Sequence, residues 1–227
     1  MKISFRHGWA MLSAAVLSLT ALPLSAVSSI TTIPAAAATA PVVENLDRGI
    51  VAIKSGNGML VSWRFLASDP TGTEFRLYRD DQLLMTSKGD EATCFYDESG
   101  SAASRYRVDS LVNGTVQTTS TCSLISGTDY FQIPMDVPTA SGCTYSPNDC
   151  SVGDVDGDGV YELFVKWDPS NSKDNSQKGK TGNVYIDCYK LTGEKLWRID
   201  MGKNIRAGAH YTQFLVADFD GDGCAEM

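Results

Sequence analysis

The chain has 227 residues, a formal net charge of −8, 43% hydrophobic residues and six cysteines. That length suits one large domain or two small ones. The acidic balance excludes nucleic acid as a partner, and an acidic polymer could approach only through bound cations or local basic patches.

Lys2, Arg6 and His7 open the chain, an apolar stretch runs from Trp9 to about Leu24, and a tail of Ala, Ser and Thr leads to Ala35–Ala38. This is the layout of a secretory signal peptide, placed at 1–38. The apolar run is too short and too interrupted for a membrane span. The expected location is therefore extracellular, with no membrane partner after leader removal. Ala26 and Ala38 both fit as cleavage points. Loss of Lys2 and Arg6 takes the charge from −8 to about −10. In an exported protein, six cysteines predict disulfides. Cys143 and Cys150 bracket a turn and can form a local pair, and Cys94 and Cys122 can pair within the first domain. Cys188 and Cys224 have no obvious partner and can stay as buried thiols.

From Val42 onward, short apolar alternations are split by Gly, Asn and Asp, with no sustained helical period. Residues 49–53, 59–65 and 75–79 read as strands, with turns at 55–58 and at Asp80–Asp81. Residues 105–109 and 113–116 read as a hairpin. This spacing predicts a small antiparallel sandwich over 42–125, and the stretch from Leu60 to Leu84 resembles a fibronectin-III-like module. Trp63 and Tyr78 could stack on sugars, but aromatics in alternating strands favour the core.

A second region, placed at 126–227, holds an internal repeat. The run Asp154-Val-Asp-Gly-Asp-Gly-Val-Tyr-Glu162 returns as Asp218-Phe-Asp-Gly-Asp-Gly-Cys-Ala-Glu226, from Asp154 to Asp218 a spacing of 64 residues. Strand-like pieces at 163–167, 184–189 and 195–199 lie between the copies, the content of a propeller blade with an inserted loop at 168–181. The expected architecture is all-β: the fibronectin-III-like sandwich, then the first blade or blades of a calcium-binding β-propeller. A propeller needs about four blades to close, so the chain reads as the front part of a longer protein.

Hard cations such as calcium take six to eight oxygens. The first loop offers Asp154, Asp156, Asp158, the carbonyl of Val160, and Glu162; the second offers Asp218, Asp220, Asp222, the carbonyl of Cys224, and Glu226. Two carboxylates about 5 Å apart repel by roughly 3 kcal/mol at an effective dielectric near 20, and four make six such pairs. A cation relieves that repulsion, and calcium with a structural role is the expected cofactor. An EF-hand is disfavoured, because it needs a bidentate Glu at loop position 12, where Val165 stands in a β-rich run.

The polar run Lys166–Ser176, the segment Asn204–Phe214, Leu46-Asp-Arg-Gly49 and Val61-Ser-Trp-Arg64 are long, specific motifs. Together they resemble the family-eleven rhamnogalacturonan lyases, across about Glu44 to Met227. The resemblance implies an N-terminal β-domain, a calcium-rich eight-bladed propeller and cleavage of the rhamnogalacturonan I backbone of pectin by β-elimination. The later blades of that pattern are missing here, and the proton-abstracting base is expected beyond residue 227, so no catalytic residue is assigned. Asn171, Lys173, Asp174 and Asn175 sit in a loop too polar for core and are candidate sugar contacts. Arg206 is a candidate for a uronate carboxylate, or for pairing Asp187 or Asp200. His210 fits a sugar contact, a cation neighbour or an interior histidine, with the structural role preferred. The expected partner is the pectin polysaccharide, and the expected state a monomer. The competing reading is a calcium-stabilised propeller that binds or adheres without cutting; a glycoside hydrolase is disfavoured because the acidic residues are mostly committed to the repeated loops.

Overall fold

The fold is taken from a computed structural model that describes residues 44–208 and 210–227; the expected leader lies outside the described residues. Every regular element in them is a β-strand, and the twelve strands form three four-stranded sheets.

The first sheet is built on β1 (Val51–Ser55) and β2 (Gly58–Ser62), antiparallel neighbours with Ala52 opposite Val61. Gly56 turns the chain between them with φ +56°, a conformation that suits a residue without Cβ. In the second sheet β3 (Glu74–Arg79) turns into β4 (Gln82–Lys88), and β6 (Tyr106–Val112) into β7 (Thr115–Thr121). Both connections are two-residue hairpins with positive φ at each position: 47° and 65° at Asp80–Asp81, 50° and 77° at Asn113–Gly114. Such turns match the twist of the flanking strands, and Asp, Asn and Gly tolerate the left-handed region best. β5 (Cys94–Asp97) pairs β2 antiparallel, and β8 (Leu124–Ser126) pairs β1 in parallel. The sheet orders are β5-β2-β1-β8 and β4-β3-β6-β7.

These two sheets share one core. Ile50, Ala52, Met59, Val61 and Trp63 come from one side, Phe75, Leu77, Tyr106 and Val108 from the other. Trp63 is buried and meets Phe75 edge-to-face, so its role is packing rather than sugar stacking. One face of Tyr78 is covered by the Arg107 guanidinium at 4.2 Å. At the core edge Arg48 donates to both Asp69 oxygens, at 2.5 and 2.6 Å.

The third sheet is an antiparallel meander of β9 (Tyr145–Gly153), β10 (Glu162–Pro169), β11 (Tyr185–Tyr189) and β12 (Lys195–Asp200), in the order β12-β11-β10-β9. Tyr145, Val165, Trp167 and Tyr189 form its core. Asp187 lies fully buried among them. It accepts from Trp167 Nε1, the Tyr189 hydroxyl, and Arg198 Nε and Nη2, each at 2.7 Å. The N-terminal segment docks on the β9–β10 loop: the Asp47 N–H donates to the Gly159 carbonyl at 2.9 Å, and Arg64 lies over the Tyr161 ring at 4.3 Å.

The expected disulfides are absent; all six cysteines are unpaired. Each thiol has its own surroundings. Cys122 Sγ faces the carbonyls of Ile50 and Leu124, Cys150 Sγ faces that of Asn148, and Cys188 is fully buried in β11. Burial pushes the Cys188 thiol up to about 12, so it stays protonated and inert. Cys224 is half-buried rather than core.

Candidate functional site

Strands flank the first acidic loop on both sides, β9 before and β10 after, unlike the helices of an EF-hand. Asp154 is fully buried, and its carboxylate accepts the N–H groups of Gly157, Asp158 and Gly159 at 2.8, 3.2 and 2.8 Å. Glu162 reaches back to accept from the Val155 N–H at 2.9 Å. Gly157 and Gly159 have φ of 73° and 86°, which a side chain would strain.

The second loop repeats this arrangement nearly bond for bond. Asp218 accepts from Gly221 and Gly223, Glu226 from Phe219, and Asp222 from Cys224, as Asp158 does from Val160. The loops touch, because the Ala225 N–H donates to the Asp154 carbonyl at 2.6 Å. A Cβ on Gly153 would stand 2.6 Å from the Ala225 Cβ.

In each loop three carboxylates offer oxygens within 4.8 Å of one another: Asp154, Asp156 and Glu162, then Asp218, Asp220 and Glu226. Asp158 and Asp222 stand outside these groups, turned toward the N–H of Val160 and of Cys224. A set of hard carboxylate oxygens fits a hard divalent cation. The first loop already attracts a cation from the chain itself. Lys190 Nζ lies 2.6 Å from Asp156, 3.2 Å from Asp158 and 3.8 Å from Glu162. That ammonium holds the Asp156 carboxyl below its ordinary value, while burial raises Glu162.

A second constellation forms where the loop after β10 meets the segment before the second acidic loop. Asn171 accepts the Gly182 N–H at 2.7 Å, which closes the loop base. Arg206 reaches underneath: Nε donates to the Lys173 carbonyl at 3.1 Å, Nη1 to Gly179 at 3.0 Å, and Nη2 to Asp174 at 3.0 Å and to Gln177. Neither Asp187 nor Asp200 is its partner. Asp187 belongs to Arg198, and Asp200 accepts from Asn183. Residues 174–180 are exposed, so Asp174 and Asn175 present their side chains to solvent. His210 is 81% exposed, with Nδ1 3.8 Å from Asp174, so it is not an interior histidine.

Among the described residues, no carboxylate pairs with Lys173, Lys178, Lys180, Lys203 or Arg206. Lys173, Lys178 and Lys180 therefore gather in one loop held by Arg206, with Asp174 as the exposed carboxylate among them.

Residues 41–124 match the rhamnogalacturonan I lyases beta-sheet domain, and residues 130–227 match the C-terminal domain of rhamnogalacturonan lyase family 11. The chain belongs to rhamnogalacturonan lyase family 11. Rhamnogalacturonan endolyase YesW of Bacillus subtilis (strain 168) is 54% identical over 191 residues, and rhamnogalacturonan exolyase YesX of the same organism 49%; each alignment covers 82% of this chain and 31% of the relative. The crystal structure of YesW superposes with a TM-score of 0.74 over 82% of this chain and 33% of that one, at 53% identity. That of the exotype lyase YesX superposes with a TM-score of 0.73 over 81% and 31%, at 47% identity. The chain thus spans about a third of the length of these relatives.

Several features of this rhamnogalacturonan lyase family member escape sequence reasoning. Lys166, almost fully buried in β10, pairs with Asp149 and donates to the Tyr211 carbonyl at 3.0 Å. Thr212, next to Tyr211, has φ +55°, an outlier for a β-branched residue, and its buried Oγ1 has no partner among the described residues. Neither the backbone strain nor the unpartnered hydroxyl is visible in the residue order. The lysine count of the loop was visible there.

Proposed function

We propose that the protein to which this chain belongs is a secreted rhamnogalacturonan lyase that cleaves the rhamnogalacturonan I backbone of pectin by β-elimination at the uronic acid. The observation that carries this reading is the lysine-rich loop of Lys173, Lys178 and Lys180, held by Arg206, in a family member of net charge −8. A polyuronate would be repelled by the molecule as a whole and drawn to this loop. The non-catalytic adhesion reading is not favoured, since the relatives YesW and YesX are named as endolyase and exolyase.

The chemistry asks for a developing negative charge beside a uronate carboxylate to be stabilised, and for a base to take the proton at C5. Lys173 and its lysine neighbours supply positive charge. Asp174, Asn175 and His210 supply exposed hydrogen-bonding groups for sugar hydroxyls. No residue of this chain is assigned as the base. The two acidic loops are read as calcium sites, held by Asp154, Asp156, Glu162, Asp218, Asp220 and Glu226, with Asp158, Asp222 and the carbonyls of Val160 and Cys224 as further oxygens. Bound calcium would neutralise the clustered carboxylates and brace the loops. The first two sheets are read as a fibronectin-III-like sandwich over 42–125, and the four-stranded meander as a propeller blade within 126–227. Residues 1–38 are read as a secretion signal, and the protein as a monomer without nucleic-acid or membrane partners.

Product analysis tests the reaction type. Mass spectrometry of digested rhamnogalacturonan I should give oligosaccharides ending in an unsaturated uronate, lighter by one water than hydrolysis products. Hydrolysis-mass products, or an untouched polymer, would contradict the lyase reading.

A further inference from the structure

Arg206 looks in the sequence like a carboxylate ligand, but its donors are already engaged. Four backbone carbonyls, of Lys173, Asp174, Gln177 and Gly179, converge on its guanidinium. Three further contacts bind the same two segments. The Lys173 N–H donates to the Ala207 carbonyl at 3.0 Å, and the Ala207 N–H to Thr181 Oγ1 at 3.0 Å. Gly208 lies so close to the loop that a Cβ there would stand 3.0 Å from the Lys173 carbonyl oxygen and 2.6 Å from the Tyr211 ring.

The loop from Ser170 to Val184 contains no strand of its own. A polar segment of that kind has little apolar burial with which to offset its conformational entropy. The guanidinium is suited to the task, because its fixed fork of five donors can serve several acceptors at once. Carbonyl partners also leave its charge unneutralised, whereas a carboxylate would cancel it.

We propose that Arg206 is a positioning residue: its guanidinium clamps the 173–179 loop from beneath and presents Lys173, Asp174 and Asn175, with His210 beside them, as a preformed face for an acidic saccharide. The inference rests on the proposed reading of that loop as the saccharide contact. Preforming the loop removes an ordering cost that binding would otherwise bear. Lysine cannot replace arginine here, since one ammonium cannot span four carbonyls.

The test uses the full-length protein with Arg206→Ala, Arg206→Lys and wild type, and two independent readouts. The first is limited trypsin digestion, since Lys173, Lys178 and Lys180 are reporters inside the loop. The second is affinity for a rhamnogalacturonan I oligosaccharide, with and without added guanidinium ion at a concentration that leaves the wild type unchanged. In both variants, cleavage at these lysines should be at least about tenfold faster and affinity about tenfold weaker. Guanidinium should partly restore both properties in Arg206→Ala. Wild-type resistance of the loop in both variants would overturn the clamp. Rapid cleavage with unchanged affinity would overturn the positioning role. Failure of the wild type to bind the oligosaccharide would instead sink the proposed function, with trypsin still reporting on the clamp. If Arg206→Ala fails to fold, Arg206→Lys carries the same comparison.

Discussion

A carboxylate with no exposed surface must have its charge met, and Asp187 meets it with four donors from three side chains. Burial, followed by the Asp187 carboxylate, pushes the Tyr189 phenol up to about 12, so Tyr189 keeps its proton and donates. Asp187→Ala would leave the donors of Arg198, Trp167 and Tyr189 without an acceptor. We predict a loss of about 3–5 kcal/mol in urea unfolding, in the range for breaking one side of a buried ion pair. A loss below about 1 kcal/mol would mean the network is replaceable by water. The sequence displays Asp187 as a polar residue inside an apolar strand, but not its partner. Arg198 faces it because β11 and β12 pair with Asp187 opposite Arg198. That register is set by the turn between the strands, so the sequence reading offered Arg206 to Asp187 and did not name Arg198. Arg206 shows the same limit: its charge was legible, its carbonyl partners were not.

At the scale of elements, the acidic loops were the most legible part of the chain. Carboxylates and glycines at fixed spacing dictate their own turn, and the two copies fold alike because hydrogen bonds within each loop dominate. What spacing could not convey is Lys190, on the turn after β11, which reaches across to the first loop. No equivalent ion pair is found at the second loop among the described residues. A bound divalent cation would repel that ammonium at short range. We predict that Lys190→Met, compared with wild type in an Asp218→Asn background that silences the second loop, binds calcium on the order of tenfold more tightly. Calorimetric titration reads the difference directly, and equal affinities would show that Lys190 swings clear at no cost. Strands were harder to read than loops. The alternating runs around Val61 and Leu77 gave β2 and β3, whereas β4, β5, β8 and β9 were missed. β9 carries many exposed polar residues, and β8 has only three residues, so neither offers a clean two-residue period.

For the molecule as a whole, long polar motifs were more informative than composition. The segments around Lys166–Ser176 and Asn204–Phe214 identified the family, and the structure brings these two segments together through Arg206 and Lys173. The disulfides were misjudged because a cysteine count reports the expected compartment rather than geometry, and the six thiols lie in separate environments. Net charge pointed away from an acidic substrate, whereas the loop with Lys173, Lys178 and Lys180 is locally rich in lysine.

The proposed lyase joins acidic loops read as cation sites to a lysine-rich loop read as the uronate contact. Its most direct test follows absorbance near ~235 nm, where the unsaturated uronate absorbs, as the full-length protein acts on rhamnogalacturonan I before chelation, after chelation and after calcium is returned. The expected outcome is a rise that chelation abolishes and calcium restores. No rise from a folded, calcium-loaded protein would contradict it, and so would a rise indifferent to the removal of every bound cation.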